Sequence, residues 1–317
     1  MKFLLKRIFL IVFLLCVIFS LSGCYYEDDA ESDTFISEIA SLNDDTQKDK
    51  KQTNDKKDSN STEKSKQTEE SLSGVNLLRK DYNFGTCKTL SGNISVILFY
   101  VDDFESKWTN EEIDLFTKNE VEPGLAFLEQ EAKKYGVELN LTVQKSYSEI
   151  YYDDEVITSV ANTGFASADV LWQAALQINY PSSQKMIQTF RNKYKTEEVI
   201  CLTVFNKSGT AYAFNPTRDS NLNIDEHCIV FARDLNSTKN GPAGSQASVV
   251  AHEMLHLFGA EDYYASTSRK SLAKEHYPDD IMLSAAYDIK TNTIEDVTAF
   301  YVGWTNEPPK ILYREGW

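Results

Sequence analysis

The chain has 317 residues, 42% of them hydrophobic and 12% aromatic, enough to bury the core of one sizeable domain. A formal charge of −16 leaves no basic footprint for neutralising phosphates, which excludes nucleic acid as a partner class. Cys16 and Cys24 lie in or at the end of an apolar leader, so the body keeps an odd three (Cys87, Cys201, Cys228), at most one internal disulfide, and no disulfide scaffold.

At the N-terminus, Lys2, Lys6 and Arg7 precede an apolar run from Ile8 to Leu21. A run of about fourteen residues is short for a span, which needs about twenty, and the layout is that of a secretory signal. An uncleaved membrane anchor is the alternative, and either one places the body outside the cytoplasm. Leu21-Ser22-Gly23-Cys24 resembles the bacterial lipobox at all four positions. That resemblance implies removal of residues 1–23 and diacylglycerol on the Cys24 sulfur, with the protein held on the outer face of the cell membrane. Each buried CH₂ of an acyl chain contributes about 0.8 kcal/mol, so two or three chains anchor firmly.

Residues 24–74 carry the lipidated cysteine and a polar linker. From Asp44 to Ser73 the only large apolar residue is Leu72, so the segment cannot offset its ordering entropy and is expected to be disordered. As a coil of about 48 residues it would reach roughly 35–40 Å, a stalk between membrane and domain. An inhibitory propeptide would need apolar anchors, and few are present.

Residues 75–317 read as one catalytic domain. Asn93 to Val101 (NISVILFYV) is a strand, and Asn110 to Tyr135 an amphipathic helix that Pro123 kinks or divides. Gly136 ends it, and Val137 to Val143 alternates as a strand. Ser182 to Lys195 is a second helix, Glu198 to Asn206 and His227 to Asp234 are strands, and Ser245 to Phe258 is a helix. This order predicts an α/β fold, a mixed sheet with helices packed on it.

That last helix carries His252-Glu253-Met254-Leu255-His256. Residues four apart on a helix lie one above the other, so two imidazoles converge on one point, as zinc ligation at about 2.0–2.1 Å requires. Glu253 lies a third of a turn round, within reach of a metal-bound water. Gly259 stands where the helix should stop, and a third ligand can follow three residues later. Asp262 occupies that position, with Glu261 as its neighbouring rival. With only four histidines in the chain, the pattern is specific.

H-E-x-x-H-x-x-G-x-x-D resembles the snapalysin and immune-inhibitor branches of the metzincin clan, which use aspartate at the position of Asp262 where most metzincins have histidine. A carboxylate is a competent zinc ligand. Asp280-Ile281-Met282 resembles the Met-turn, with Met282 as an apolar floor beneath the metal, although the familiar tyrosine two residues on is Ser284 here and the next tyrosine is Tyr287. Thr298 to Trp304 resembles the last helix of immune-inhibitor-type enzymes. The resemblance implies an α+β zincin-like fold with a central catalytic helix and a small C-terminal subdomain. It also implies one catalytic Zn²⁺ held by His252, His256 and Asp262, with Glu253 as general base in a metallopeptidase, endo- rather than exo-acting. The strand His227 to Asp234 would be the edge that pairs with peptide substrate. No cysteine-switch motif is present.

His276 is an alternative ligand or a surface residue. Asp102, Asp103, Asp153, Asp154 and Glu155 could hold Ca²⁺, but without EF-hand spacing solvated loops are the simpler reading. The expected partners are a protein or peptide substrate and a membrane, with the chain a monomer. Two other functions fit the same sequence: a zinc hydrolase of a cell-wall or other non-peptide amide, and a non-catalytic binding lipoprotein. The intact Glu253 speaks against the second.

Overall fold

A computed structural model describes residues 85–153, 170–214, 226–234, 246–286 and 288–317. The leader, Cys24, the polar linker, the start of the domain at 75, Asp154, Glu155 and Tyr287 lie outside the described residues. The fold is α+β. Strands β1 (Gly92–Asp102), β2 (Leu139–Tyr151), β3 (Glu198–Gly209), β4 (Tyr212–Phe214) and β5 (His227–Asp234) form one sheet in the order β2-β1-β3-β5-β4. All pairs are parallel except β4 with β5.

Successive residues of β1 point to opposite faces, and both faces are covered, which is why NISVILFYV is apolar at nearly every position. Val96, Leu98 and Tyr100 join a core built with helices α2 (Glu122–Lys134) and α5 (Gln246–Leu257). Ile97, Phe99 and Val101 join a second core under α3 (Val170–Gln177) and α4 (Ser183–Tyr194). Beyond α5 the chain continues through α6 (Thr267–His276), the Met282 turn and α7 (Asp296–Tyr301), whose apolar residues share the first core.

The predicted Asn110–Tyr135 helix is one rod with a wide turn in it. Helix α1 (Asn110–Phe116) runs through a π segment (Thr117–Val121) into α2, with Pro123 in α2's first turn. Proline has no N–H to donate, so the widened turn absorbs it without breaking the rod. Thr109 and Glu112 close a capping box at its start. Ser182 caps α4 through the Lys185 N–H.

Three elements escape the sequence pattern. In α3, Trp172 and Leu176 are exposed opposite a buried face, so apolar residues appear all round and no 3.6-residue stripe stands out. In α6 the sole buried residue is Ala273. Strand β4 is three residues long, too short for any period. β4 also corrects the edge assignment in part: Cys228 and Ile229 of β5 are paired on both sides, by β3 and by β4, so β4 is the outer strand there, while Val230–Asp234 have no β4 partner. β2 runs eight residues past the expected Val143 because its second half is mostly solvent-facing and polar.

Cys87, Cys201 and Cys228 are buried thiols outside any disulfide, as small apolar residues would be. No described helix is long and apolar enough to cross a membrane.

Candidate metal centre

Helix α5 is set in place before it delivers any ligand. The Glu120 carboxylate, from the π segment, accepts the Ala247 N–H at 3.1 Å and puts a negative charge at the positive end of the helix dipole. Gly124 of α2 lies so close that a Cβ there would come within 2.8 Å of the Ala247 carbonyl, so the absent side chain lets the two helices meet. Ser248, Val250, Ala251, Met254, Leu255 and Leu257 bury the remaining faces.

Gly259 ends the helix with a φ of 96°. The Ala260 N–H bonds to Leu255 O at 3.2 Å and the Gly259 N–H to His256 O at 3.0 Å, the paired bonds of a Schellman cap. The chain therefore reverses at once, and the Ala260 carbonyl comes to lie beside His256.

The reversal brings three ligand atoms together. His252 Nε2 and His256 Nε2 are 3.2 Å apart, and Asp262 Oδ1 lies 3.1 Å from the first and 3.3 Å from the second. Two ligands at about 2.05 Å from a tetrahedral zinc stand about 3.3 Å from each other, so the triangle has the edges of a zinc site. The tautomers agree. His252 Nδ1–H donates to Ile281 O at 2.9 Å and His256 Nδ1–H to Ala260 O at 2.7 Å, which leaves both Nε2 lone pairs facing inward. Asp262 Oδ1 is buried with no hydrogen-bond donor. Two lone pairs and a carboxylate oxygen at van der Waals contact repel unless a cation lies between them, so the residues fit a metal. Among the described residues this is the group of three or more such side chains that could hold one.

A proton can partly take that cation's place. Burial opposes the charged imidazolium of His256, but the Asp262 carboxylate outweighs it and lifts the ring to about 9. Burial likewise opposes the Asp262 carboxylate, and the two imidazoles nevertheless hold it well below the usual range. His252, Glu253 and Asp262 are buried, while the His256 side chain keeps 20% of its surface exposed and marks the open side. Glu253 is close enough for its charge to act on both imidazoles and on Cys228 of β5.

Glu261 is not part of the group. Its carboxylate pairs with Arg269 of α6 at 2.7 Å, and the same guanidinium nitrogen lies 3.5 Å from the Asp262 carbonyl, so the rival acid pins the ligand loop instead. His276 is exposed and accepts a hydrogen bond from Arg314. Asp102 Oδ1 accepts the Trp108 N–H and Asp103 pairs with Lys207, so neither waits for calcium.

Met282 is fully buried in a turn stitched to the ligand loop by Tyr263 N–H to Met282 O at 3.0 Å. Sequence reasoning missed the organiser of that turn, Asp280. Its carboxylate accepts the Met282 N–H, the Glu295 N–H and the Thr298 hydroxyl, and burial raises its pKa to about 6. Tyr263, also missed, places its hydroxyl 2.6 Å from Thr298 Oγ1. A buried acid two residues before Met282 was the available signal. Tyr264, next along, holds its ring parallel to His252 with centroids 6.5 Å apart.

No family model matches the chain, and no curated protein sequence matches it. Among solved structures, metalloproteinase-II from Bacteroides fragilis aligns with 71% of this chain at 12% identity and a TM-score of 0.29. The chain spans 60% of that protein's length. A likeness this slight carries no argument about activity.

Proposed function

We propose that this protein is a zinc metallopeptidase, tethered outside the cytoplasm through a lipid on Cys24. The observation that supports the reading is the inward-facing triangle of His252 Nε2, His256 Nε2 and Asp262 Oδ1, with separations of 3.1–3.3 Å and both Nδ1–H groups committed elsewhere. Three protein ligands, two of them imidazoles, leave a fourth tetrahedral position for water or substrate. Zinc bound there would supply Lewis acidity and lower the pKa of a water molecule.

The chain's own groups do the rest. Glu253, buried and one residue past the first ligand, takes the proton from the attacking water and returns it to the leaving amine. The Ile281 and Ala260 carbonyls hold the imidazoles in the ligating tautomer. Met282 closes the apolar floor.

An extended peptide adds to the outer edge of β4, the strand next to α5. Ala213 is the β4 residue on the α5 side of the sheet, and its small side chain leaves room for a substrate side chain. Pairing along an edge fixes a peptide by its middle, which favours internal bonds over chain ends.

Glu253→Gln tests the assignment. It is expected to keep its zinc and its KM while kcat on a peptide library falls about 10²–10⁴-fold. A variant that remains active overturns Glu253 as base. Turnover of peptidoglycan amides without turnover of peptides would transfer the reading to a cell-wall amidase.

A further inference from the structure

Asp262 is held differently from the two imidazoles. His252 and His256 are locked by Nδ1–H bonds to Ile281 O and Ala260 O, whereas no donor reaches Asp262 Oδ1. The place of that oxygen is therefore set by the main chain on either side of residue 262. Before it stand the Schellman cap and the Glu261–Arg269 pair. After it stands Tyr263, 1% exposed.

Tyr263 is fastened through its main chain, its hydroxyl and its ring. The N–H bonds to Met282 O at 3.0 Å, and the hydroxyl lies 2.6 Å from Thr298 Oγ1. The ring meets the Trp317 indole edge-on, with centroids 5.1 Å apart and planes at 66°. Tyr277 lies 6.1 Å from the Tyr263 ring and 5.7 Å from Trp317, so the three rings close a triangle. Edge-to-face aromatic pairs are favourable and directional, so each ring limits the orientations open to the next.

Trp317 is itself well placed. Ile311, buried in the first core, roots the 3₁₀ turn Lys310–Tyr313, and the Trp317 N–H bonds to Arg314 O at 3.2 Å. Gly316, at a φ of 93°, lies so close to α6 that a Cβ there would come within 3.2 Å of the Ser268 Cβ. One helix thus braces both neighbours of the ligand. α6 carries Arg269 to the residue before Asp262 and supports the chain that brings Trp317 to the residue after it.

We propose that Trp317 is a positioning residue for Asp262, acting through the ring of Tyr263 to keep the ligand loop closed around the metal. The proposal rests on the reading of His252, His256 and Asp262 as a metal centre, and it gives the indole no part in the chemistry.

The test measures zinc affinity of the full chain by chelator competition, with amide hydrogen exchange of the metal-free protein alongside. Trp317→Ala is expected to weaken zinc about tenfold, the lower end of what an outer contact supplies. Trp317→Phe, which keeps a ring against Tyr263, should recover most of the loss. A tenfold loss through opening leaves the loop closed about one tenth of the time. The Tyr263 amide should therefore lose its protection in Trp317→Ala while the amides of β1 keep theirs. Tyr180→Ala removes a half-buried ring of the second core, on the other face of the sheet, and should leave zinc affinity within about twofold. Wild-type affinity in Trp317→Ala, no recovery in Trp317→Phe, or an equal loss in Tyr180→Ala would each overturn the proposal. Wild-type protein that takes up no zinc would overturn the metal reading instead. The exchange of the Tyr263 amide is read without metal, and an unchanged rate in Trp317→Ala overturns the proposal by itself.

Discussion

Two buried carboxylates in this molecule each keep one oxygen without a donor, and their surroundings give that oxygen different meanings. Asp262 Oδ1 faces two imidazole nitrogens that are themselves acceptors, so the gap has the geometry of a divalent cation. Glu226 Oε1 faces main chain at Gly85, while its partner oxygen is saturated by N–H and O–H donors. The first site suits a point charge shared by several ligands. The second suits one further donor. An unmet acceptor alone does not name a ligand; the donors and acceptors around it do.

The comparison predicts a clean separation of effects. Asp262→Ala removes a ligand, and zinc affinity, read by chelator competition, should fall by more than the about 10–100-fold that outer contacts supply. Glu226→Gln in the same assay should leave zinc affinity within about threefold. A loss of zinc in Glu226→Gln comparable to that in Asp262→Ala would show that the two regions are one system.

Arg269 sharpens the metal side. It grips the Glu261 carboxylate and reaches the Asp262 carbonyl, so it positions a ligand without touching the metal. Arg269→Ala should weaken zinc about tenfold, with Arg269→Lys recovering part of the loss. Unchanged affinity in Arg269→Ala would mean that the Schellman cap alone fixes Asp262. Gly259→Ala, which forces a Cβ onto a φ of 96°, should cost about 1–2 kcal/mol of stability in urea melts. Its zinc affinity should change less than that of the Asp262 variant.

The convergence of His252, His256 and Asp262 was legible in the sequence because helix geometry turns a four-residue spacing into a shared direction, and because Gly259 favours the reversal that follows. The sequence favoured Asp262 by its offset from Gly259 but kept Glu261 as a rival. What removes Glu261 is its pairing with Arg269, which sits on α6, a helix whose sole buried residue, Ala273, leaves almost no apolar pattern to read. Strands β1, β3 and β5 were legible from their apolar runs. β4 was not, because three residues show no period and its pairing with β5 is a long-range choice. Asp280 and Glu226 look like ordinary surface acids until the fold closes over them, and burial is a property of the whole chain.

Metal content and affinity test the central claim most directly. The account predicts one zinc per chain in the wild-type protein, lost or greatly weakened in both His256→Ala and Asp262→Ala. Zinc retained at wild-type affinity in Asp262→Ala, or wild-type protein that takes up none after loading, would contradict it.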